Sequence, residues 1–385
     1  MRPIHSPFSA LKNIEVFAVE AHAAQILVRT NAPAVRARLG DQLTEAEVID
    51  GVAVIELDGL AANTSHNVNV SSTSEVDLGD IAFVTSQNHG DVTAKVATIS
   101  DVHLGLEEFG VGRKMTGPSA PPYALQCARA AIEEATAWGA ELLLVKGDLT
   151  DTGQHADWEL AEELLDGVTI PVMFTPGNHD VLRGSDVDPA AGAKRLGLDF
   201  APVQVRDLGT VRVVLADTSR AGSGTGDLAR GADELIEAVD CGKPTLLAFH
   251  HNIQHLPVTW FWPPGVASNN AKPVVAALEE ANPRLFLTSG HTHRNRLRWL
   301  GTNRTIPYTE VSSTSDYPGV WAGYAATTSS IHQVVRRIAS PGAITWTEQT
   351  RKVLGGVWPR WSQGRLHDRT VDVGFDQRLG TTVST

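Results

Sequence analysis

The chain has 385 residues, 42% of them hydrophobic, enough to bury a large core in two or three domains, or in one large domain with an appendage. Its formal net charge of −12 argues against a protein that coats nucleic acid or docks on anionic lipid, because both need an extended basic surface. No uninterrupted apolar run is long enough to span a bilayer, and the start, MRPIHSPFSALKN, lacks the apolar core and cleavage site of a secretory signal, so a cytoplasmic location is expected.

From about Ile14 to Thr85 the runs IEVFAVE, AQILVRT, VAVIEL, HNVNVSS and IAFVTS, separated by polar or Gly/Pro-containing turns, predict a small antiparallel β-sandwich of fibronectin-like type over residues 1–92. It carries no chemical constellation and reads as a structural or partner-binding unit. After SQNHGDVTAK the texture changes. VATIS, ELLLVK, PVMFTP, VRVVLA, PTLLAF and RLFLTS are short apolar runs of the kind that forms strands buried on both faces. Helical periods lie between several of them. YALQCARAAIEEATAWG sets Leu125, Ala128, Ala131, Ile132 and Ala135 on one stripe and stops at Gly139, and HADWELAEELLDG and ADELIEAVDCG repeat the scheme. This alternation predicts an α/β unit over residues 93–340. TIPYTEVSSTS and GVWAGYAATTSSIHQVVRRIAS come next as further strands, the latter a hairpin that could extend a second sheet. The tail, 341–385, carries Trp346, Trp358 and Trp361 and is expected to pack on the body.

The chemistry lies at the carboxyl end of each apolar run. VATIS leads to Asp101-Val102-His103, ELLLVK to Gly147-Asp148 and on to Asp151, and PVMFTP to Gly177-Asn178-His179-Asp180. PTLLAF leads to His250-His251, and RLFLTS to Gly290-His291-Thr292-His293. Five strands deliver Asp, His or Asn at the edge where open α/β sheets bind ligands. Six of the fourteen histidines fall in these five places, which chance placement does not explain. Only two cysteines occur, Cys127 and Cys241, each beside an apolar segment, so any metal must be held by nitrogen and oxygen. That donor set suits zinc, manganese, iron, cobalt or nickel. Asp-x-His and His-x-His on an extended exit put alternate residues on one side, so both partners can face one pocket.

In order, type and approximate spacing these motifs resemble the calcineurin-like metallophosphoesterase superfamily over about residues 94–335, closest to its cyclic-nucleotide and glycerophosphodiester phosphodiesterase branch. The resemblance implies a four-layer αββα sandwich with two divalent or mixed-valence ions (Mn, Fe or Zn). It implies one ion on Asp101, His103, Asp148 and His293, and a second on Asp148, Asn178, His250 and His291, with Asp148 bridging. By analogy His179 is catalytic and not a ligand, placed to stabilise the leaving oxygen or donate a proton, while Asp151 and Asp180 orient the ligands. Where purple acid phosphatases have a ligand tyrosine this chain has Asp151, which counts against a ferric-tyrosinate site. His250 takes the strand-end position; His251 is the alternative ligand, or a residue facing substrate.

Two divalent cations less the charges of Asp101 and Asp148 leave the site near +2, against the global negative charge. The expected reaction is attack of a bridging hydroxide on the phosphorus of a small phosphodiester. A phosphomonoesterase acting on a nucleotide, sugar phosphate or phosphoprotein is the alternative enzyme, and a metal-stabilised binding scaffold the alternative of another class. Trp260, Phe261 and Trp262 lie shortly after the fourth motif and form either an aromatic wall for an apolar leaving group or a packing surface, including a contact between like chains. SRAGSGTGD, 219–227, lacks the lysine and spacing of a Walker motif and reads as a flexible connector; Arg113 and Lys114 read as a solvated loop.

Overall fold

The computed structural model describes residues 13–110, 114–118, 121–258 and 262–375. Arg113, Trp260 and Phe261 therefore lie outside the described residues. The chain opens with seven strands: β1 (Ile14–Val19), β2 (Ala23–Arg29), β3 (Ala34–Leu39), β4 (Gln42–Glu47), β5 (Val52–Asp58), β6 (Ser65–Ser72) and β7 (Asp77–Val84). They form two antiparallel sheets, in orders β1-β2-β5 and β4-β3-β6-β7, around one apolar core that includes Ile26, Val35, Ile55 and Val68. The hairpin β3–β4 has no counterpart among the sequence-predicted runs. Its outward face is charged, with Arg36 paired to Glu45, and only Val35 and Ala37 of β3 are fully buried.

The chain then runs through β8 (Ala94–Ile99), a two-rung hairpin β9 (Glu108–Phe109) and β10 (Met115–Thr116), α1 (Tyr123–Ala137), β11 (Leu142–Lys146), α2 (His155–Leu165) and β12 (Val172–Thr175). Next come α3 (Pro189–Arg195), β13 (Val203–Leu208), β14 (Val211–Ala216), α4 (Ala232–Val239), β15 (Thr245–Phe249), α5 (Ser268–Ala281) and β16 (Leu285–Ser289). The remainder is β17 (Arg296–Leu300), β18 (Ile306–Glu310), β19 (Val320–Ala326), β20 (Ser330–Arg337), α6 (Pro341–Thr350), α7 (Trp358–Ser362), α8 (Leu366–Arg369) and β21 (Thr370–Gly374).

Two six-stranded sheets result, β12-β11-β8-β19-β20-β21 and β13-β14-β15-β16-β18-β17. Apolar side chains on both faces of the central strands explain their layering, because successive residues point to opposite sides. Val96, Leu142 and Leu144 face inward against Val213, Leu246 and Phe286 of the other sheet. Their neighbours Ala97, Leu143 and Val145 face outward against α1, α2 and α6. Leu247 and Leu285 do the same toward α4 and α5. The stripe of α1 is buried throughout, and Gly139 ends it with φ +94°.

The β19–β20 hairpin joins the first sheet, beside β8, instead of extending the second; Ala322 of β19 pairs with Thr98. β21 adds the outermost strand of the same sheet. The β1–β2 ribbon turns Phe17 and Leu27 into the inter-sheet core, and buried Arg369 bonds Glu15 and the Phe17 carbonyl, so α8 is tied to β1. Cys127 and Cys241 are free thiols. Among the described residues no helix is long and apolar enough to cross a membrane.

Candidate metal centre

The parallel strands β8, β11 and β12 of one sheet and β15 and β16 of the other release their chains at one edge, and the five motifs meet there. The local backbone is strained to achieve it. Asp101, His103, Asp148, His291 and His293 all have positive φ, between 49° and 68°, a region that costs a non-glycine residue about 1–2 kcal/mol. Such strain persists only where the surroundings over-determine it, and it concentrates at functional sites. Glycine is required at two contacts. A Cβ on Gly177 would lie 2.2 Å from Asp148 Oδ1, and one on Gly147, at φ +82°, would lie 2.6 Å from the His250 ring.

The polar atoms gather into two groups. In the first, His103 Nε2 is 3.3 Å from His293 Nε2, which is 3.5 Å from Asp101 Oδ1. In the second, His250 Nε2 is 3.3 Å from Asn178 Oδ1 and 3.2 Å from His291 Nδ1. Asp148 Oδ2 belongs to both, 3.8 Å from His103 Nε2 and 3.2 Å from His250 Nε2. All seven residues predicted to bind metal are thus brought together.

Three of the four imidazoles are hydrogen-bonded from behind. His250 Nδ1 donates to the Lys146 carbonyl (2.8 Å), His291 Nε2 to the Pro264 carbonyl (2.7 Å) and His293 Nδ1 to Asp316 Oδ2 (2.5 Å), while His103 Nδ1 lies 3.2 Å from Asp151 Oδ1. The hydrogen bonds fix the tautomers of His250, His291 and His293 so that their inward nitrogens carry lone pairs. Between His250 Nε2 and His291 Nδ1 a lone pair then faces a lone pair across 3.2 Å, and only a cation or an extra proton between them relieves the repulsion. Charge tells the same story. Burial opposes the imidazolium, yet Asp148 raises His250, and Asp316 with Asp101 raises His293, each to about 9. Burial and the His250 charge push His291 down to about 4. Burial pushes Asp101 and Asp148 upward, but the surrounding histidines prevail and hold both below the usual carboxylate range. A sulfur-free N/O set of this density fits first-row divalent cations.

The remaining expected residues surround this set. Asp180, fully buried, accepts from the Gly177 and Thr150 amides and the Thr150 hydroxyl, pinning the second motif to the third; burial and then Asp148 raise its pKa. Asp151 serves two rings: the carboxylate lies beside His103, and its backbone carbonyl accepts from His179 Nδ1 at 2.7 Å. His179 is more open than the other site histidines, with about a third of its side chain exposed; burial resists its charge but Asp148 and Asp151 raise it to about 10. His251 is fully buried, with Nδ1 3.0 Å from the Thr218 hydroxyl and Nε2 lacking a hydrogen-bond partner among the described residues. Burial, then His250 and His291, push its pKa far down, so it stays neutral against the second group. The segment 219–227, expected as a connector, is pinned: Gly222 N–H donates to the Val181 carbonyl, and a Cβ on Gly226 would lie 2.5 Å from His251 Cβ.

Three features escape sequence reading. Asp316, in the loop SSTSDYPG, holds His293 with one oxygen and accepts from Trp358 Nε1 at 2.9 Å with the other. The tail therefore does more than pack: Trp358 lies 6.2 Å from the His293 ring and 6.5 Å from exposed Trp262, which is 6.4 Å from Trp361. Phe109 of β9 closes this aromatic side, 5.6 Å from Trp358. Lys146, one inward step beyond Leu144 on β11, is buried and crosses to Thr288 and the Ser289 carbonyl of the other sheet; burial lowers it to about 7. Only the terminal lysine of ELLLVK hints at it. Replacing Asp316 by Asn, which cannot accept and pair with His293 in the same way, is expected to weaken metal affinity about 10–100-fold, read by competition with a chromogenic chelator.

A family model described as calcineurin-like phosphoesterase matches residues 94–295, more than half of the chain. The chain belongs to that family. The chain is 27% identical over 163 residues to the glycerophosphodiester phosphodiesterase GpdQ of Enterobacter lignolyticus, covering 40% of the chain and 56% of the relative. It is 24% identical over 229 residues to a 3',5'-cyclic-nucleotide phosphodiesterase of Nostoc sp., covering 57% and 81%. The chain thus spans little more than half the length of the first of these relatives. Among solved structures, a dimetal phosphatase from Danio rerio aligns with 65% of the chain and 100% of its own, at 14% identity and TM-score 0.47.

Proposed function

We propose that this phosphoesterase hydrolyses small phosphodiesters with a pair of divalent cations. The observation that carries the reading is the Asp148 carboxylate shared by two convergent donor groups. One cation would be held by Asp101, His103, Asp148 and His293, and the other by Asp148, Asn178, His250 and His291. When bound, such a pair supplies positive charge against the phosphoryl oxygens and acidifies the attacking water toward neutrality. The protein's own part is placement. Asp151 and Asp180 keep the ligand loops in register, His179 presents a proton to the leaving oxygen, and neutral His251 packs beside the second group with an unpaired nitrogen for substrate.

Trp262, with Trp358 and Trp361, offers rings beside the first group for an apolar or aromatic leaving group; Trp260, two positions before Trp262 in the sequence, is assigned to the same role. The preference for diesters is supported by the phosphodiesterase names of the curated relatives. We further assign the chain as a β-sandwich over 1–92 that serves structure or partner binding, a catalytic unit over 93–340, and an extension over 341–385 whose tryptophans border the site.

The test is metal analysis followed by paired assays on bis-p-nitrophenyl phosphate and p-nitrophenyl phosphate. Diester turnover well above monoester turnover is the expected result. The reverse would establish a phosphomonoesterase, and bound metal without turnover of either substrate a binding scaffold. Chelation of the metal is also expected to lower the melting temperature by about 5 °C or more, since a ligand bound only to the native state stabilises it.

A further inference from the structure

A cavity of about 960 Å³ lies between α5, edge strand β17 and the segment that leaves His251, with Ile253 and Gln254 on its wall. None of the residues that converge on the metal centre lines it. Its charged lining is cationic, Lys272, Arg298 and Arg304, with no carboxylate among the described residues; His255 beside them is kept neutral by burial and the neighbouring guanidiniums. In a chain of net charge −12 a cavity of this kind stands apart. By contrast, in the cavity of about 850 Å³ beside the N-terminal sheets, Glu20 and Glu56 both pair with Arg336.

The positive charge is built in, not scattered over a solvated surface. Arg298 is only 9% exposed, stacks 4.8 Å over the Tyr308 ring, and shares Glu310 with Arg294, so one buried carboxylate serves two guanidiniums. Its Nε is buried with no hydrogen-bond partner among the described residues. Arg296 places a further guanidinium 2.9 Å from His255. Lys272 and Arg304 are exposed and have no acidic partner among the described residues. Beside these cations stand an apolar floor, Val275 and Ala276, and the half-exposed indole of Trp299. Guanidinium and ammonium groups select phosphate, and an indole selects a flat ring.

We propose that this cavity is a second ligand site for a phosphate-bearing aromatic molecule of the nucleoside monophosphate class. The phosphate sits against Arg298, Lys272 and Arg304, and the base against Trp299. Through Arg298, which donates to the Ile253 carbonyl, the ligand rests on the segment that leaves His250 and His251. Photolabelling of the metal-loaded full chain with 8-azido-AMP, followed by peptide mapping, tests the assignment. Saturable label within 268–276 or 296–304 is expected, displaced by AMP at lower concentrations than by inorganic phosphate or adenosine alone. The Lys272→Ala/Arg304→Ala variant, altered only at exposed positions, should need roughly tenfold more reagent for the same labelling. Its turnover of bis-p-nitrophenyl phosphate without nucleotide should stay within about twofold of the parent, because neither residue approaches the metal centre. Label confined to the segments around His251 and His291, or labelling unchanged in the variant, would overturn the proposal.

Discussion

Replacing Asp148 by Asn is expected to lower kcat/KM on bis-p-nitrophenyl phosphate by about 10⁴-fold or more, some 5 kcal/mol of transition-state stabilisation, and to strip metal from both donor groups together. The size of the effect comes from position. Asp148 Oδ2 is common to His103 and His250, so one substitution touches both cation positions at once. The amide keeps the volume and can still accept the His179 backbone N–H, which bonds Asp148 Oδ1 at 2.8 Å. Loss of function is therefore attributable to the missing charge, and circular dichroism should report an unchanged fold. Metal analysis returning a full complement in Asp148→Asn would dismiss the shared-ligand reading.

His179→Ala is expected to leave metal content intact and to lower kcat by about 10²–10⁴-fold, the usual worth of a positioned proton donor. His179 lies within reach of His103 and Asp148, so its placement alone is compatible with a ligand. Its Nδ1 is committed to the Asp151 carbonyl and its side chain is the open one, which favours contact with substrate over contact with metal. The backbone bond to Asp148 survives truncation to alanine. A proton donor matters most when the leaving group is basic, so the loss should be much larger for an alkyl phosphodiester than for a p-nitrophenyl ester. Equal losses on both, or loss of metal in the variant, would show that the ring acts otherwise.

The contrast between what is and is not legible in the chain has a physical pattern. Runs such as ELLLVK and RLFLTS announce buried strands because both faces are apolar, and the residues just beyond them announce a site because no packing demand calls for Asp, Asn and His there. The hairpin β3–β4 is silent in the sequence because its outer face is charged and few of its side chains enter the core. Asp316 is silent because a lone acid in a serine-rich loop carries no local signal; its role exists only through His293, 23 positions away. Trp358 and Trp361 look like tail packing, and only the path of α7 past Thr292 and Asp316 brings them to the site.

By itself the sequence determined the donor inventory, the alternation of strand and helix, and the placement of chemistry at strand ends, because these depend on side-chain type and short-range periodicity. The tertiary structure alone decided which donors share a centre. His103 meets His293, and Asp101 meets the His291 amide, across 190 residues in each case. Those encounters depend on strand order and on the packing of one sheet against another, both set by long-range burial that no local window of sequence records.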